Sequence, residues 1–244
     1  MAIDFDLAAL DRLGGQGASL EETGSPKPFI EPDLRGFFWH WRRVFPWAEN
    51  YNNGKRASSA QAVSSMPEPM RRDDTRGFLA LEIAILTVSD TRTPETDKSG
   101  RLLVERLQTA GHRLHAKRIV PDDIYKIRAL IAGWCADEGV PVVITTGGTG
   151  ITGRDGTPEA IKPLLDRELD GFGELFRLIS YEEIGSSTIQ SRALAGVSNR
   201  TLIFCLPGSP GACATAWDAI IQHQLDYRTR PCNLAELIPR LAEK

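Results

Sequence analysis

Residues 140–157 read VPVVITTGGTGITGRDGT, and this stretch decides the fold and points to the chemistry. Val140 to Ile144 has no helical period and is rich in β-branched residues, the mark of a buried strand. The strand runs into Thr145-Thr146-Gly147-Gly148-Thr149-Gly150, whose three glycines admit backbone conformations that a Cβ penalises. Successive exposed N–H groups in such a turn, flanked by threonine hydroxyls, form a concavity suited to an anion. The next segment, Gly153 to Glu159, enters a helix with Thr157 as the expected N-cap and Pro158 at its first position. Glycines, hydroxyls and a charge pair converging at a strand's carboxyl end suggest phosphate binding. A tight turn with no ligand is the plainer alternative.

The chain of 244 residues is long enough for one domain with an appendage or for two small ones. Its formal net charge of -3 gives no reason to expect a nucleic-acid partner. Every apolar run is far shorter than the ~18 residues of a membrane span, so no membrane partner is expected. The start, MAIDFDLAALDRLGG, is acidic and lacks the basic opening and apolar core of a secretory signal. Cys135, Cys205, Cys213 and Cys232 are widely spaced and sit in or beside apolar segments. That pattern fits reduced, structural thiols in a cytoplasmic protein and argues against a zinc site.

Residues 1–76 read as an N-terminal extension and linker, largely irregular, and residues 77–244 as the main domain. The extension carries turn formers such as Gly14-Gly15 and Asn52-Asn53-Gly54, and its stretch Gly54 to Asp74 has a linker composition. Short structured islands are expected at Phe5 to Leu13 and at the aromatic cluster Phe37 to Trp47. Three tryptophans and three phenylalanines within eleven residues are too much apolar surface to leave in water. Packing on the main domain or a neighbouring subunit is one account; docking to another protein is the sharper one. Arg42-Arg43 raises a membrane surface as a third, which the nearby Glu31 and Asp33 oppose.

From Phe78 the pattern becomes regular. Leu81 to Val88 is a strand-length apolar run. Lys98 to Ala110 has a helical period closed by Gly111, and Arg113 to Val120 is a less apolar strand nearer an edge. Ile124 to Asp137 repeats the helical pattern before Val140. Alternating strand and helix predicts an α/β fold, with a mostly parallel sheet and right-handed crossovers between helical layers. Further on, Pro163 is expected to bend or restart a helix, and a short helix is expected through Ile179. Ser186-Ser187 are expected to cap a helix through Ala195. Thr201 to Leu206 is the last clear strand, followed by a helix capped by Ser209 and a short helix near Leu234 to Leu241.

Four strand ends should therefore deliver Ser89-Asp90, Asp122-Asp123, the Thr/Gly loop and Pro207-Gly208-Ser209 to one edge of the sheet. The loop is neither a Walker sequence nor a dinucleotide fingerprint, so backbone N–H groups must do the holding. Asp122 and Asp155 matter because a carboxylate beside a phosphate is repulsive unless a cation is present or a proton moves; two of them suggest Mg2+. Their structural alternatives are helix capping for Asp122, and a pair with Arg154 or a turn bond for Asp155. Ser191-Arg192 could reach an anionic substrate or simply lie on a solvated face, and Asp90 and Glu174 could order loops or touch ligand. No histidine has an obvious nucleophile beside it.

At these residues the chain resembles the molybdenum cofactor biosynthesis proteins of the MoaB/MogA family. The resemblance covers roughly residues 80–233 and rests on AILTVSDTR, TTGGTGITGRDGTPEA, DGFGELFR, EEIGSSTIQSRALAGV and LIFCLPGSPGAC; the tail LDYRTRPCN points to the MoaB branch. It implies a three-layer α/β/α domain, molybdopterin binding, and nucleotidyltransferase activity that moves adenylate from Mg-ATP to molybdopterin with release of pyrophosphate. It also implies a homotrimer or homohexamer. Carried over by resemblance, Asp122 and Asp155 are the catalytic and magnesium-holding positions. Thr146, Gly147, Gly148, Thr149 and Gly150 form the phosphate loop, while Ser89, Asp90, Ser191, Arg192, Pro207, Gly208 and Ser209 line or support the cavity. Both carboxylates are retained, which favours an active transferase. The alternatives are a non-enzymatic molybdopterin-binding or carrier protein, or an assembly protein recruiting a pathway partner through the aromatic arm.

Overall fold

The structure, a computed structural model, describes residues 71–243. The two islands expected in the extension, Phe5 to Leu13 and the aromatic cluster, lie outside the described residues. The core of the domain is a sheet of six strands in the order β3-β2-β4-β7-β6-β5. Strands β2 (Glu82–Val88), β3 (Arg113–Val120), β4 (Val142–Thr146) and β7 (Thr201–Leu206) run parallel. Strand β6 (Leu194–Ser198) runs antiparallel to β7, and the short β5 (Arg167–Glu168) antiparallel to β6.

Apolar residues occupy successive positions of β2, β4 and β7 because both faces of these strands are covered. Their side chains alternate between two cores. Ile83, Ile85, Val142, Ile144, Leu202 and Phe204 face one side, where α1 (Lys98–Thr109), α4 (Asp170–Ile184) and α5 (Pro210–Ala216) supply Leu103, Leu107, Phe176 and Ala216. Ala84, Leu86, Val143, Ile203 and Cys205 face the other, against Ile127, Ile131 and Trp134 of α2 (Ile124–Ala136) and Ile161 of α3 (Thr157–Ile161). This is the three-layer α/β/α arrangement. β3 is less apolar because it is the edge of the sheet and pairs only with β2.

Several local expectations hold for physical reasons visible here. Gly111 closes α1 at φ +93, a conformation that a Cβ would strain. Pro163 ends α3 and leaves a single 3-10 turn, Lys162–Leu164. The Ser209 side chain accepts from the Ala212 N–H and caps α5, with Pro210 next in line. That helix continues through a π-helical turn, Trp217–Ile221, to α6 (Gln222–Leu225).

Others are corrected. The helix expected through Ala195 is not formed: Gly185–Gln190 is 3-10, and Leu194–Ser198 becomes strand β6. Alanine and leucine favour helix locally, but pairing with β7 buries Ala195 and Val197, and that tertiary gain decides. The missed signal is Asn199, which at φ 56 forms the two-residue turn between Ser198 and its partner Thr201. The final short helix is reduced to a 3-10 turn, Ile238–Arg240. Part of the supposed linker is also tied down. Strand β1 (Arg71–Arg72) pairs with β8 (Thr229–Arg230), and Arg76 ion-pairs with Asp73 and Glu236.

Ile144 is fully buried at the centre of β4. Ile144→Ala should cost about 2–5 kcal/mol, read as a lower urea midpoint at an unchanged slope.

Candidate functional site

The parallel strands end on one rim, and two glycine loops meet there backbone to backbone. Gly147, at φ +101, passes so close to β2 that a Cβ would lie 2.2 Å from the Val88 carbonyl oxygen. A Cβ on Gly208, after β7, would stand 3.2 Å from the Gly147 Cα. Hydrogen bonds lock the two loops together. The Gly147 N–H donates to the Leu206 carbonyl, the Thr146 hydroxyl to the Pro207 carbonyl, and the Ser99 hydroxyl to the Gly208 carbonyl. A cleft of about 300 Å³ results, lined by Ser89, Thr146, Gly147, Gly148 and Gly208 together with Thr87, Arg92 and Asp97.

The two sequence-predicted carboxylates flank the glycine loop. A Cβ on Gly148 would fall 2.7 Å from Asp122 Oδ2, and one on Gly150 2.5 Å from Asp155 Oδ2. Asp122 is free for this position because its neighbour Asp123 caps α2, accepting from the Tyr125 and Lys126 N–H groups. Asp122 accepts from the Gly156 N–H at 3.2 Å. Burial, with Asp155 and Asp90 nearby, raises its pKa above the ordinary carboxylate value, against the lowering pull of the Gly156 N–H and Arg154. Asp155 accepts from the backbone N–H and hydroxyl of Thr152, the hydroxyl being the largest cause of its lowered pKa. It is thus the turn bond that engages Asp155, while Arg154 pairs with Asp90 at 3.0 Å. One rim therefore holds two acids driven in opposite directions by their surroundings.

The loop itself differs in detail from its expected form. The Gly147 N–H is taken by Leu206, so it is not a donor for a ligand. The N–H groups of Gly148 and Thr149 have no acceptor among the described residues, and these face the expected task. Gly156, not Thr157, is the N-cap of α3, because the Thr157 hydroxyl donates instead to the Gly147 carbonyl and braces the loop from below. Pro158 accordingly follows the first helical residue.

Ser191 and Arg192 are not in the same cleft. They line a second cavity of about 380 Å³ with Lys162 and Arg177. Arg192 lies between the two. Its guanidinium donates to the carbonyls of Thr149 (3.2 Å) and Asp155 (2.6 Å) and pairs with Glu159, so it braces the loop rather than standing open to a ligand. The Ser191 hydroxyl is buried without a partner among the described residues. Ser209 is occupied as the helix cap, and the Pro207 carbonyl by the Thr146 hydroxyl.

Asp97 escaped the sequence reading. It is 1% exposed, pairs with Lys117 at 2.7 Å, and accepts from the Thr87 hydroxyl and the Gly100 N–H. Its only linear signal is its place before α1 as a helix cap; the Lys117 that neutralises it comes from another strand. Three cysteines, Cys135, Cys205 and Cys213, are buried and unbridged. Burial pushes the Cys205 thiol up to about 12 and Cys213 to about 11, which leaves both inert.

Among the described residues no group of three or more His, Cys, Asp or Glu side chains forms a metal cage. Asp122 and Asp155, two carboxylates against one glycine loop, are the donor type that magnesium takes, because that ion is commonly held by one or two carboxylates with its other positions filled by water or substrate oxygens.

A mostly parallel sheet between helical layers, with a glycine loop and two acids at its carboxyl rim, is the class of fold that places ligand sites at its strand ends. The family profile described as "Probable molybdopterin binding domain" matches residues 84–227, and the chain belongs to this family of molybdenum cofactor biosynthesis proteins. Molybdenum cofactor biosynthesis protein B of Escherichia coli K12 is 57% identical over 156 residues, which are 64% of this chain and 92% of that one. The Bacillus subtilis protein of the same name is 48% identical over 147 residues, 60% of this chain and 86% of its own. A solved structure of a molybdenum cofactor biosynthesis protein B superposes with a TM-score of 0.63 at 44% identity, covering 69% of this chain and all of the other. No helix among the described residues is long and apolar enough to cross a membrane.

Asp122 also gives a test that needs no substrate. A carboxyl whose pKa is raised on folding binds its proton more tightly in the native state. Its charge therefore opposes folding above that pKa and has no effect below the unfolded value. Asp122→Asn should raise the melting temperature at pH 7. The gain should shrink to nothing as pH falls through the carboxylate range, as differential scanning calorimetry across pH would measure.

Proposed function

We propose that this protein transfers adenylate from Mg-ATP to molybdopterin, releasing pyrophosphate. The observation carrying this reading is the pair of unengaged N–H groups at Gly148 and Thr149, with Asp122 and Asp155 against the same loop. In the reaction the terminal phosphate of molybdopterin attacks the α-phosphorus of ATP. A P–O bond to that phosphate forms as the bond to the leaving pyrophosphate breaks. The protein's work is to align two mutually repelling anions and stabilise the charge that develops.

Gly148 and Thr149 donate to phosphate oxygens from a backbone that Thr157, Arg192 and Leu206 already hold rigid, so little reorganisation is needed at the moment of transfer. Arg92, lining the cleft, adds a positive charge at its mouth. Asp122 and Asp155 would hold Mg2+, which supplies neutralisation of the phosphate oxygens when bound. The cavity behind the loop, with Ser191, Arg177 and Lys162, offers polar contacts for the rest of the pterin substrate.

Asp155→Asn should keep the fold and molybdopterin affinity while lowering transfer about a hundredfold, the loss of ~3 kcal/mol of transition-state stabilisation. The assay follows adenylyl-molybdopterin and pyrophosphate from purified protein alongside pterin binding. Unchanged transfer in the variant removes Asp155 from the mechanism, and binding without any transfer in the parent protein identifies a carrier instead.

Self-association is part of the same proposal. Helix α4 leaves Leu175, Leu178, Tyr181 and Ile184 exposed, with Ile189 beyond it at 83% exposure, more apolar surface than one helix ordinarily presents to water. A trimer or hexamer built through this face accounts for it. Light scattering should give a trimeric or hexameric mass that falls in Leu178→Glu; a monomeric parent protein refutes this part.

A further inference from the structure

The tail motif LDYRTRPCN, residues 225–233, takes no part in the strand-end cleft. It builds a wall of another cavity, of about 430 Å³, at the amino-terminal rim of the sheet, where α1 ends and β3 begins. Strand β2 separates the two rims, a span of roughly 20 Å for a strand of this length. The new cavity lies between β1, Phe78, His112 and the tail.

Its chemistry is cationic. Arg71, Arg72 and Arg228 line it with the carboxylate Asp226 and with His112 and His223, and Arg72 also pairs with Asp74 at 3.2 Å, so arginines outnumber these two acids. The tail side is rigid. Asp226 takes both Nε and Nη2 of Arg228 at 2.8 Å, and the guanidinium carbon lies 4.9 Å from the centre of the Phe78 ring. Asn233 fixes the backbone beneath by donating to the carbonyls of Tyr227 and Thr229. With Nε and Nη2 engaged, Nη1 of Arg228 has no acceptor among the described residues.

His112 supplies the second, independent observation. It is 4% exposed, and its Nδ1 accepts from the Leu81 N–H at 3.2 Å, which leaves the proton of the neutral ring on Nε2. Burial pushes its pKa down to about 4, so the ring is neutral at physiological pH. That Nε2–H is buried with no acceptor among the described residues. Native proteins pair nearly all such groups, with protein, water or ligand.

We propose that this cavity binds a small oxyanion, the phosphate or carboxylate group of a low-molecular-weight ligand. Arg71, Arg72 and Arg228 supply the charge and His112 a neutral donor. A volume of this size holds a small metabolite rather than a lone ion. The site is separate from the strand-end cleft and does not depend on its reading.

The test titrates the full chain with inorganic phosphate and, separately, with citrate, following the His112 side-chain Nε2–H by NMR and the heat by calorimetry. A saturable shift of the His112 signal is expected with at least one probe. Response to phosphate alone identifies a phosphoryl ligand, and response to citrate alone a carboxylate ligand. R71Q/R72Q removes two exposed side chains while leaving the β1–β8 backbone pairing intact, and should weaken that binding about tenfold or more. D155N, at the opposite rim of the sheet, should leave the His112 response unchanged. A His112 signal unmoved by both probes, or moved equally in R71Q/R72Q, overturns the proposal.

Discussion

At the rim of this sheet, backbone packs on backbone where no side chain fits. The loop after β4 runs against the Val88 carbonyl at Gly147 and against Thr157 and Asp122 at Gly148, with hypothetical β-carbons only 2.2 Å from Val88 O and from Thr157 Oγ1. Because the loop can come that close, Gly148 lines the cleft from a fixed platform, and Asp122 can rest against it. A preorganised platform of this kind is worth most where it need not move during reaction. The rest of the rim serves the same constraint: Ser99 and Thr146 secure the β7 loop, and Arg192 and Thr157 secure the β4 loop.

The electrostatics of the rim follow from this closeness. Asp122, Asp155 and Asp90 gather at one loop, with Arg154 and Arg192 offsetting part of their charge. Asp155 is stabilised as an anion by the Thr152 hydroxyl, whereas Asp122 is partly desolvated and pushed toward its protonated form. Opposed pKa shifts in neighbouring acids recur at working sites, although structural networks shift pKa values as well. Asp97 shows the contrast. Deeper still, it is neutralised by Lys117 and two further donors, so it holds β2, β3 and α1 together beneath the cleft.

Much of this was legible in the linear chain because the features concerned are local. The continuous apolar runs of β2, β4 and β7, the period of α1 and α2, the caps Gly111 and Ser209, and the glycine loop each announce themselves within a few residues. So did the family, through motifs covering about two-thirds of the chain, and with it the three-layer fold. What the sequence determined by itself was therefore the order of the parallel strands and the helices between them, and which strand ends carry polar residues.

Tertiary structure decided everything that rests on a partner far away in the chain. Residues 194–198 have helix-favouring composition but become a strand, because β7 offers an unpaired edge and buries two of their side chains. Arg192, read from the sequence as lining or supporting the cavity, is used by Thr149, Asp155 and Glu159, contacts that no local pattern announces. Asp97 looked like nothing until Lys117 arrived from the edge strand. Arg228 of the tail, read in sequence only as part of a family signature, lines a separate cavity with Arg71, Arg72 and His112. Local conformation is set by steric and propensity terms that act over a few residues. Charge pairing, burial and the fate of each hydrogen-bond donor are set by neighbours that only folding brings near.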